Sequence, residues 1–166
     1  MVEEILQIGH PTLRQIAKKV ELTDINTPVI QNFIDTLITT AKESNGVGIA
    51  APQIGYSLQI VIIASSPNVR YPDAPLMKPV AMINPHIISH SEEMVLGIEG
   101  CLSVKEKRGT VNRYQQIEIE YCDRHGQYQR QIYHGFVARI IQHEIDHLQG
   151  ILFVDRIEDE LSKCEV

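Results

Sequence analysis

The apolar periodicity of the chain changes twice, from helical near the front to alternating in the middle and back to helical near the end. That order constrains the fold more than any other feature. Across residues 28–42, Ile30, Phe33, Ile34, Leu37, Ile38 and Ala41 recur every three or four positions and share one helical face. Thr27 can cap this helix, and Pro28 suits its first position, where a missing N–H is no loss. A shorter helix is predicted over 12–20. Asn45-Gly46 ends the long pattern, and residues 46–55 are small, apolar and interrupted by three glycines, a backbone that can be approached closely. Residues 58–64 read as a buried strand, and 65–79, with four prolines, as an irregular surface loop. Further strands are predicted over 80–88, 92–96 and 111–121, the last because Ile117, Ile119 and Tyr121 alternate. Asp123-Arg124-His125-Gly126 supplies turn chemistry, so 128–134 can return as a hairpin partner. From 136 to 149 the pattern is helical again, with Gly150 placed to end it. Strands flanked by helices predict an α+β class: mostly antiparallel sheets packed around a C-terminal helix carrying H-E-x-x-H, with N-terminal helices. Residues 1–166 are read as one domain.

Composition narrows the function. At 166 residues and 43% apolar content, a core can form without disulfides or metals, so a bound metal would be functional. Lys plus Arg number 15 against 21 for Asp plus Glu, a formal charge of −6, which argues against gripping a nucleic-acid backbone. Cys101, Cys122 and Cys164 are odd in number and far apart, which favours a reducing compartment over a disulfide framework. Cys122 is expected to pack within a strand and Cys164 to sit on an exposed tail. The N-terminus lacks a secretory or transit pattern, and the longest apolar run, 60–64, is far below the roughly 20 residues that cross a bilayer. A cytoplasmic protein with no membrane association is expected.

The chemistry concentrates in His143-Glu144-Ile145-Asp146-His147. Residues four apart lie on one helical face, so both imidazoles can reach one cation while Glu144 projects beside it. Two neutral nitrogens suit a divalent metal, and a nearby carboxylate can take a proton from water attacking a carbonyl. A catalytic site needs a third protein ligand and an open position. That ligand could be an acid beyond the helix (Asp155, Glu158, Asp159, Glu160 or Glu165) or the thiolate of Cys101 in Glu99-Gly100-Cys101-Leu102-Ser103. An endopeptidase with an acidic third ligand and a non-catalytic metal module closed by a fourth ligand remain as alternatives.

Three ordered motifs are similar to those of the peptide deformylase family: Gly46-Val47-Gly48-Ile49-Ala50-Ala51-Pro52-Gln53, Glu99-Gly100-Cys101-Leu102-Ser103 and Gln142-His143-Glu144-Ile145-Asp146-His147-Leu148. Pro11-Thr12-Leu13-Arg14 resembles a further family element. The resemblance implies a metal-dependent hydrolase that removes the formyl group from N-formylmethionyl nascent peptides in a bacterial-type cytoplasm. It implies Cys101, His143 and His147 as metal ligands, Glu144 as general base and then acid, and Gln53 with the Leu102 N–H as holders of the oxyanion. Glu99 would anchor the site by pairing with Arg113 or Arg108. Gly48 would leave room for an extended peptide, and Val47, Phe136 and Ile140 would receive the methionine side chain. The expected metal is iron(II), which zinc, nickel or cobalt can replace. Transient ribosome association is a further expectation, although the chain after Asp155 is shorter than the C-terminal helix of some members.

Overall fold

The computed structural model of the chain describes residues 2–161. The first helix, α1, spans Pro28–Glu43, with the Thr27 hydroxyl accepting from the Ile30 N–H at 3.4 Å. Ile30, Ile34, Leu37 and Ala41 are its buried stripe. Asn45 then takes φ +57°, a left-handed turn that asparagine tolerates and that swings the chain into β1, Gly48–Ala50.

Five strands form one antiparallel sheet: β1, β2 (Ile60–Ile63), β3 (Val80–His90), β6 (Gln116–Cys122) and β7 (Tyr128–His134), in that spatial order. The sheet is covered on both faces. Ile60 and Ile62 join Ile34, Leu37 and Ala41 on the α1 side, whereas Val61 and Ile63 join Ala138, Ile141 and Leu148 on the side of α2, Gly135–Leu148. A strand buried on both faces has no polar face to alternate with, which is why β2 reads as an unbroken apolar run. The second sheet is smaller and sits against α2: β4 (Met94–Cys101), β5 (Val104–Tyr114) and β8 (Ile157–Leu161), with β5 in the centre. The chain is thus of the predicted α+β, antiparallel class.

Several local expectations are corrected. The helix predicted over 12–20 is a four-residue 3-10 turn, Pro11–Arg14, followed by extended chain. Tertiary partners take its backbone: the Ala17 N–H donates to Leu148 O, and Lys18 exchanges bonds with Ser57 and Gln59. The strand predicted over 111–121 is two strands in two sheets, broken at Gln115, whose N–H donates to Glu93 O and whose carbonyl accepts from Gly135. Val111, Arg113, Ile117, Ile119 and Tyr121 are all buried, so the alternation runs through the break with no change of phase. The same strand begins seven residues earlier than expected, in the charged stretch Val104-Lys105-Glu106-Lys107-Arg108. The strand predicted over 92–96 continues to Cys101, and β8 had no counterpart among the predicted elements. The 65–79 segment has no helix or strand, yet it is more than a surface loop: Ser65 and Ala74 are buried and Tyr71 packs on Phe136. Cys122 packs against the α1-side core as expected. Cys164 lies outside the described residues.

Several side chains join the small sheet to the helix, Gln142 among them. Gln142 accepts from the Tyr114 N–H at 3.0 Å and donates to the Tyr114 carbonyl at 2.9 Å, completing a backbone pair at the point where β5 leaves its sheet. Leucine is of similar size but satisfies neither group. Gln142→Leu is expected to lower the unfolding free energy by about 2 kcal/mol, read by urea denaturation of the metal-free protein. A change below about 0.5 kcal/mol would show that water replaces the clamp.

Candidate metal centre

β4 delivers a thiol to the inner face of α2. The β4–β5 register slips between Glu99 and Cys101, and the chain turns back at Leu102-Ser103, so Cys101 ends its strand with Sγ directed at the helix. On α2, His143 and His147 are one turn apart with ring centroids 5.2 Å from each other. Cys101 Sγ lies 3.4 Å from His147 Nε2, and one donor atom from each of Cys101, His143 and His147 falls within 4.8 Å of the others. All three residues are buried. The sequence-predicted trio is therefore brought together. Among the described residues no carboxylate joins it: Asp155 is paired with Arg14, and Glu158 is exposed. The side chains of Asp159 and Glu160, and all of Glu165, lie outside the described set.

A buried carboxylate orients the trio. Glu99 Oε1 is 2.9 Å from His143 Nδ1, which turns Nε2 of that ring toward the cluster. Glu99 also accepts from Arg113 Nε and Nη2, each at 2.9 Å, and from Arg139 Nη1 at 2.7 Å. Burial alone would raise the Glu99 pKa, but the hydrogen bonds from Arg113 and His143 outweigh it and hold the carboxyl well below its usual range. Arg113 is fixed from behind by Asp146 Oδ2 at 2.7 Å, so both acids of the helical motif have identifiable partners or tasks. The expected partner Arg113 is confirmed, whereas Arg108 does not touch Glu99 and lies over the Tyr71 ring. Arg139 was missed. Its signal was present: it lies four residues before His143 on the inward face, and a buried arginine requires an acid. Gly97 makes its passage possible, since a β-carbon there would fall 2.7 Å from the guanidinium carbon.

The remaining groups face a small cleft, open to solvent and bordered by Val47, Gly48, Phe136 and Ile140, all of which the family resemblance placed at the substrate. Arg70, Tyr71, Ile98 and Arg139 border it as well and were not anticipated. Glu144 lies on the same wall, 4% exposed, with its pKa pushed up to about 7 chiefly by burial. Its Oε2 sits where a Gly48 β-carbon would be only 2.8 Å away, so that glycine makes room for the carboxylate. Gln53 is held from both ends: Oε1 accepts from the Ala50 N–H at 2.9 Å, and Nε2 donates to Ser103 Oγ at 3.0 Å and to Cys101 Sγ at 3.6 Å. Leu102 is half-buried in the turn beside it and lines the same cleft.

This donor set fits a metal. One thiolate and two imidazoles are ligands of borderline-soft divalent ions, and two buried polar atoms beside them, Glu144 Oε1 and His147 Nδ1, have no protein partner. In the absence of an ion the two histidines diverge. Burial opposes a proton on both, but hydrogen bonds with Cys101 and Glu99 raise the pKa of His143, while burial and the His143 charge lower that of His147.

The family described as Polypeptide deformylase matches residues 2–163. Peptide deformylase 2 of a Nostoc species is 56% identical over 158 residues, covering 95% of this chain and 87% of that protein. The peptide deformylase of Dictyoglomus turgidum is 41% identical over 165 residues, 99% of each chain. Among solved structures, the class I type b peptide deformylase of Acinetobacter baumannii with Met-Ala-Ser bound superposes with a TM-score of 0.92 at 46% identity, covering 95% of this chain and 99% of that one. The actinonin complex of a peptide deformylase from Synechococcus elongatus gives a TM-score of 0.82 at 34% identity, covering 98% and 82%.

The Glu99 cluster generates a pH expectation. A carboxyl whose native pKa is depressed contributes stability that is complete above its unfolded-chain value of about 4.5 and fades as pH falls below it. The metal-free protein should therefore lose stability steeply below about pH 4.5, and Glu99→Gln should flatten that slope while costing about 3–5 kcal/mol at neutral pH. Urea titrations from pH 7 to 3 read both quantities. An unchanged acid slope in the variant would assign the effect to other carboxylates.

Proposed function

The chain belongs to the polypeptide deformylase family and removes the formyl group from the N-terminal formyl-methionine of new polypeptides, releasing formate; we propose the residues by which it does so. Cys101, His143 and His147 hold one divalent ion, with Glu99 fixing His143 from behind. Iron(II) is the metal we assign, and zinc, nickel or cobalt can take its place because imidazole and thiolate accept each of them. When bound there, the ion supplies Lewis acidity that acidifies a water and polarises the formyl carbonyl.

The protein groups divide the remaining work. Glu144, with a pKa near neutrality, takes a proton from the attacking water and later returns it to the departing nitrogen. Gln53 Nε2 and the Leu102 N–H hold the oxygen on which negative charge develops. The 3.6 Å contact of Gln53 with Cys101 Sγ is the weaker of its two amide contacts and the one exchanged for that oxygen. Gln53 is already held by the Ala50 N–H and Ser103, so little reorganisation opposes the reaction. The methionine side chain enters between Val47, Phe136 and Ile140. Strand β1 has a neighbour on one side only, and its open edge near Gly48 offers backbone pairing to an extended peptide without demanding a sequence. No helix among the described residues is long and apolar enough to cross a membrane. A substrate made at the ribosome places the work in the cytoplasm, with transient ribosome association and no sequence-specific nucleic-acid contact.

The observation that carries this reading is the convergence of Cys101 Sγ, two imidazoles and an unpartnered Glu144 oxygen at one cleft wall. It is tested by anaerobic formate release from a formyl-Met peptide, with the acetyl analogue as control, on protein of measured metal content. Glu144→Gln should keep stoichiometric metal and lose turnover by about 10²–10⁴-fold or more. Gln53→Ala should keep the metal and lose about 10²–10³-fold. Cys101→Ala should lose both metal and activity. Retained metal with retained peptidase activity in that last variant would instead indicate an acidic third ligand.

A further inference from the structure

Among the described residues, two guanidinium groups beside the cleft form no ion pair with a carboxylate. Arg70 comes from the 65–79 segment and Arg108 from β5, and both pack over the Tyr71 ring, with their guanidinium carbons 5.4 Å and 4.7 Å from its centroid. The Gly100 N–H donates to the Tyr71 hydroxyl at 3.1 Å, which fixes that ring one residue from Cys101. The two arginines come close together beside Gly100. A β-carbon there would lie 3.3 Å from Arg70 Nη2 and 3.6 Å from Arg108 Nη1, so both flank one point.

Arg108 is only 9% exposed. The other deeply buried arginines, Arg113 and Arg139, are both neutralised by Glu99. By contrast, the ion pairs of the described residues join neither Arg70 nor Arg108 to a carboxylate. Glu3, Glu4, Glu106 and Asp73 border the adjoining hollows, and no ion pair among the described residues joins Glu3, Glu4 or Asp73 to either arginine. Two like charges held side by side are relieved by an anion, and a planar carboxylate matches the guanidinium fork best. The Tyr71 ring face offsets part of the repulsion until that anion arrives. The position suits a substrate. Arg70 and Arg108 border both the hollow that contains Cys101 and Leu102 and the one that contains Ile98 and Phe136, where a chain leaving the methionine pocket must pass.

We propose that Arg70 and Arg108, held on Tyr71, form a carboxylate subsite for the part of the formyl peptide that follows methionine, so that the enzyme favours an acidic residue at the second or third position. The inference rests on the deformylase assignment of the neighbouring site. A carboxylate at the end of a short peptide has the same chemistry, and the test separates the two sources.

The experiment compares kcat/KM of the metal-loaded enzyme on amidated formyl-Met-Glu-Ala and formyl-Met-Gln-Ala, on the pair with the acid or amide at the third position, and on formyl-Met-Ala-Ala as free acid and as amide. Wild-type protein should prefer the Glu peptide over its Gln counterpart by about fivefold to tenfold, mainly through KM, and the preference should shrink as salt rises. In Arg108→Gln and in Arg70→Gln the ratio should fall toward one, whatever the absolute rate, and Arg108→Lys should keep part of it. A preference confined to the free acid assigns the subsite to a chain-end carboxylate. Equal rates for Glu and Gln peptides and for acid and amide in the wild type, or a ratio unchanged in both glutamine variants, would overturn the proposal. Absence of formate from every formyl peptide would instead overturn the deformylase assignment, so the two failures are distinguishable.

Discussion

The structure depends on one buried carboxylate. Glu99 sits 3% exposed between Arg113, Arg139 and His143, and those partners belong to β5 and α2 while Glu99 itself is on β4. Isolated, such a charge would cost several kcal/mol to bury, and so would either arginine. Together they tie three elements at one point, and two further Arg139 bonds, to Val95 and Val111 carbonyls, extend the tie along both strands. The catalytic consequence is direct. The same carboxylate that neutralises the arginines accepts from His143, so the orientation of that imidazole is set by a network too costly to rearrange.

The site is assembled across the boundary between the two sheets. The large sheet supplies Gly48 and, just after β1, Gln53; the small sheet supplies Cys101; α2, which spans both, supplies His143, Glu144 and His147. Close approach at this seam relies on absent side chains. Gly48 admits Glu144 and Gly97 admits Arg139. Each glycine marks a place where a charged group meets backbone, so their role here is room rather than unusual backbone angles.

How much of this was legible in the sequence depends on whether the signal was local. The long helices were, because α1 and α2 each carry an apolar stripe at helical spacing and a recognisable cap or stop, Thr27 in one and Gly150 in the other. The β6–β7 hairpin was, because its turn residues are contiguous. The break at Gln115 was not, since burial on either side of it keeps the same parity while the chain moves from one sheet to another. The 3-10 turn at Pro11–Arg14 was misread as a longer helix because the competing partners, Leu148, Ser57 and Gln59, are distant in the chain. Among site residues, those within the three motifs could be named, and Arg139 left a trace as a charge on an apolar face. Arg70 and Tyr71 left none, because a proline-rich loop has no periodicity from which an inward direction can be read.

The sequence by itself determined which residue types are available for chemistry and their local spacing: two imidazoles one helical turn apart, a carboxylate between them, and a thiol in the run Glu99-Gly100-Cys101-Leu102-Ser103. That follows because helical geometry converts spacing into a shared face without any information from elsewhere. Only the tertiary structure decided which of several acids or the thiol completes the cluster, which arginine neutralises Glu99, and that Arg70 and Arg108 share one aromatic ring. Those choices are made by contacts between residues tens of positions apart, and nothing in a local pattern encodes the distance between them.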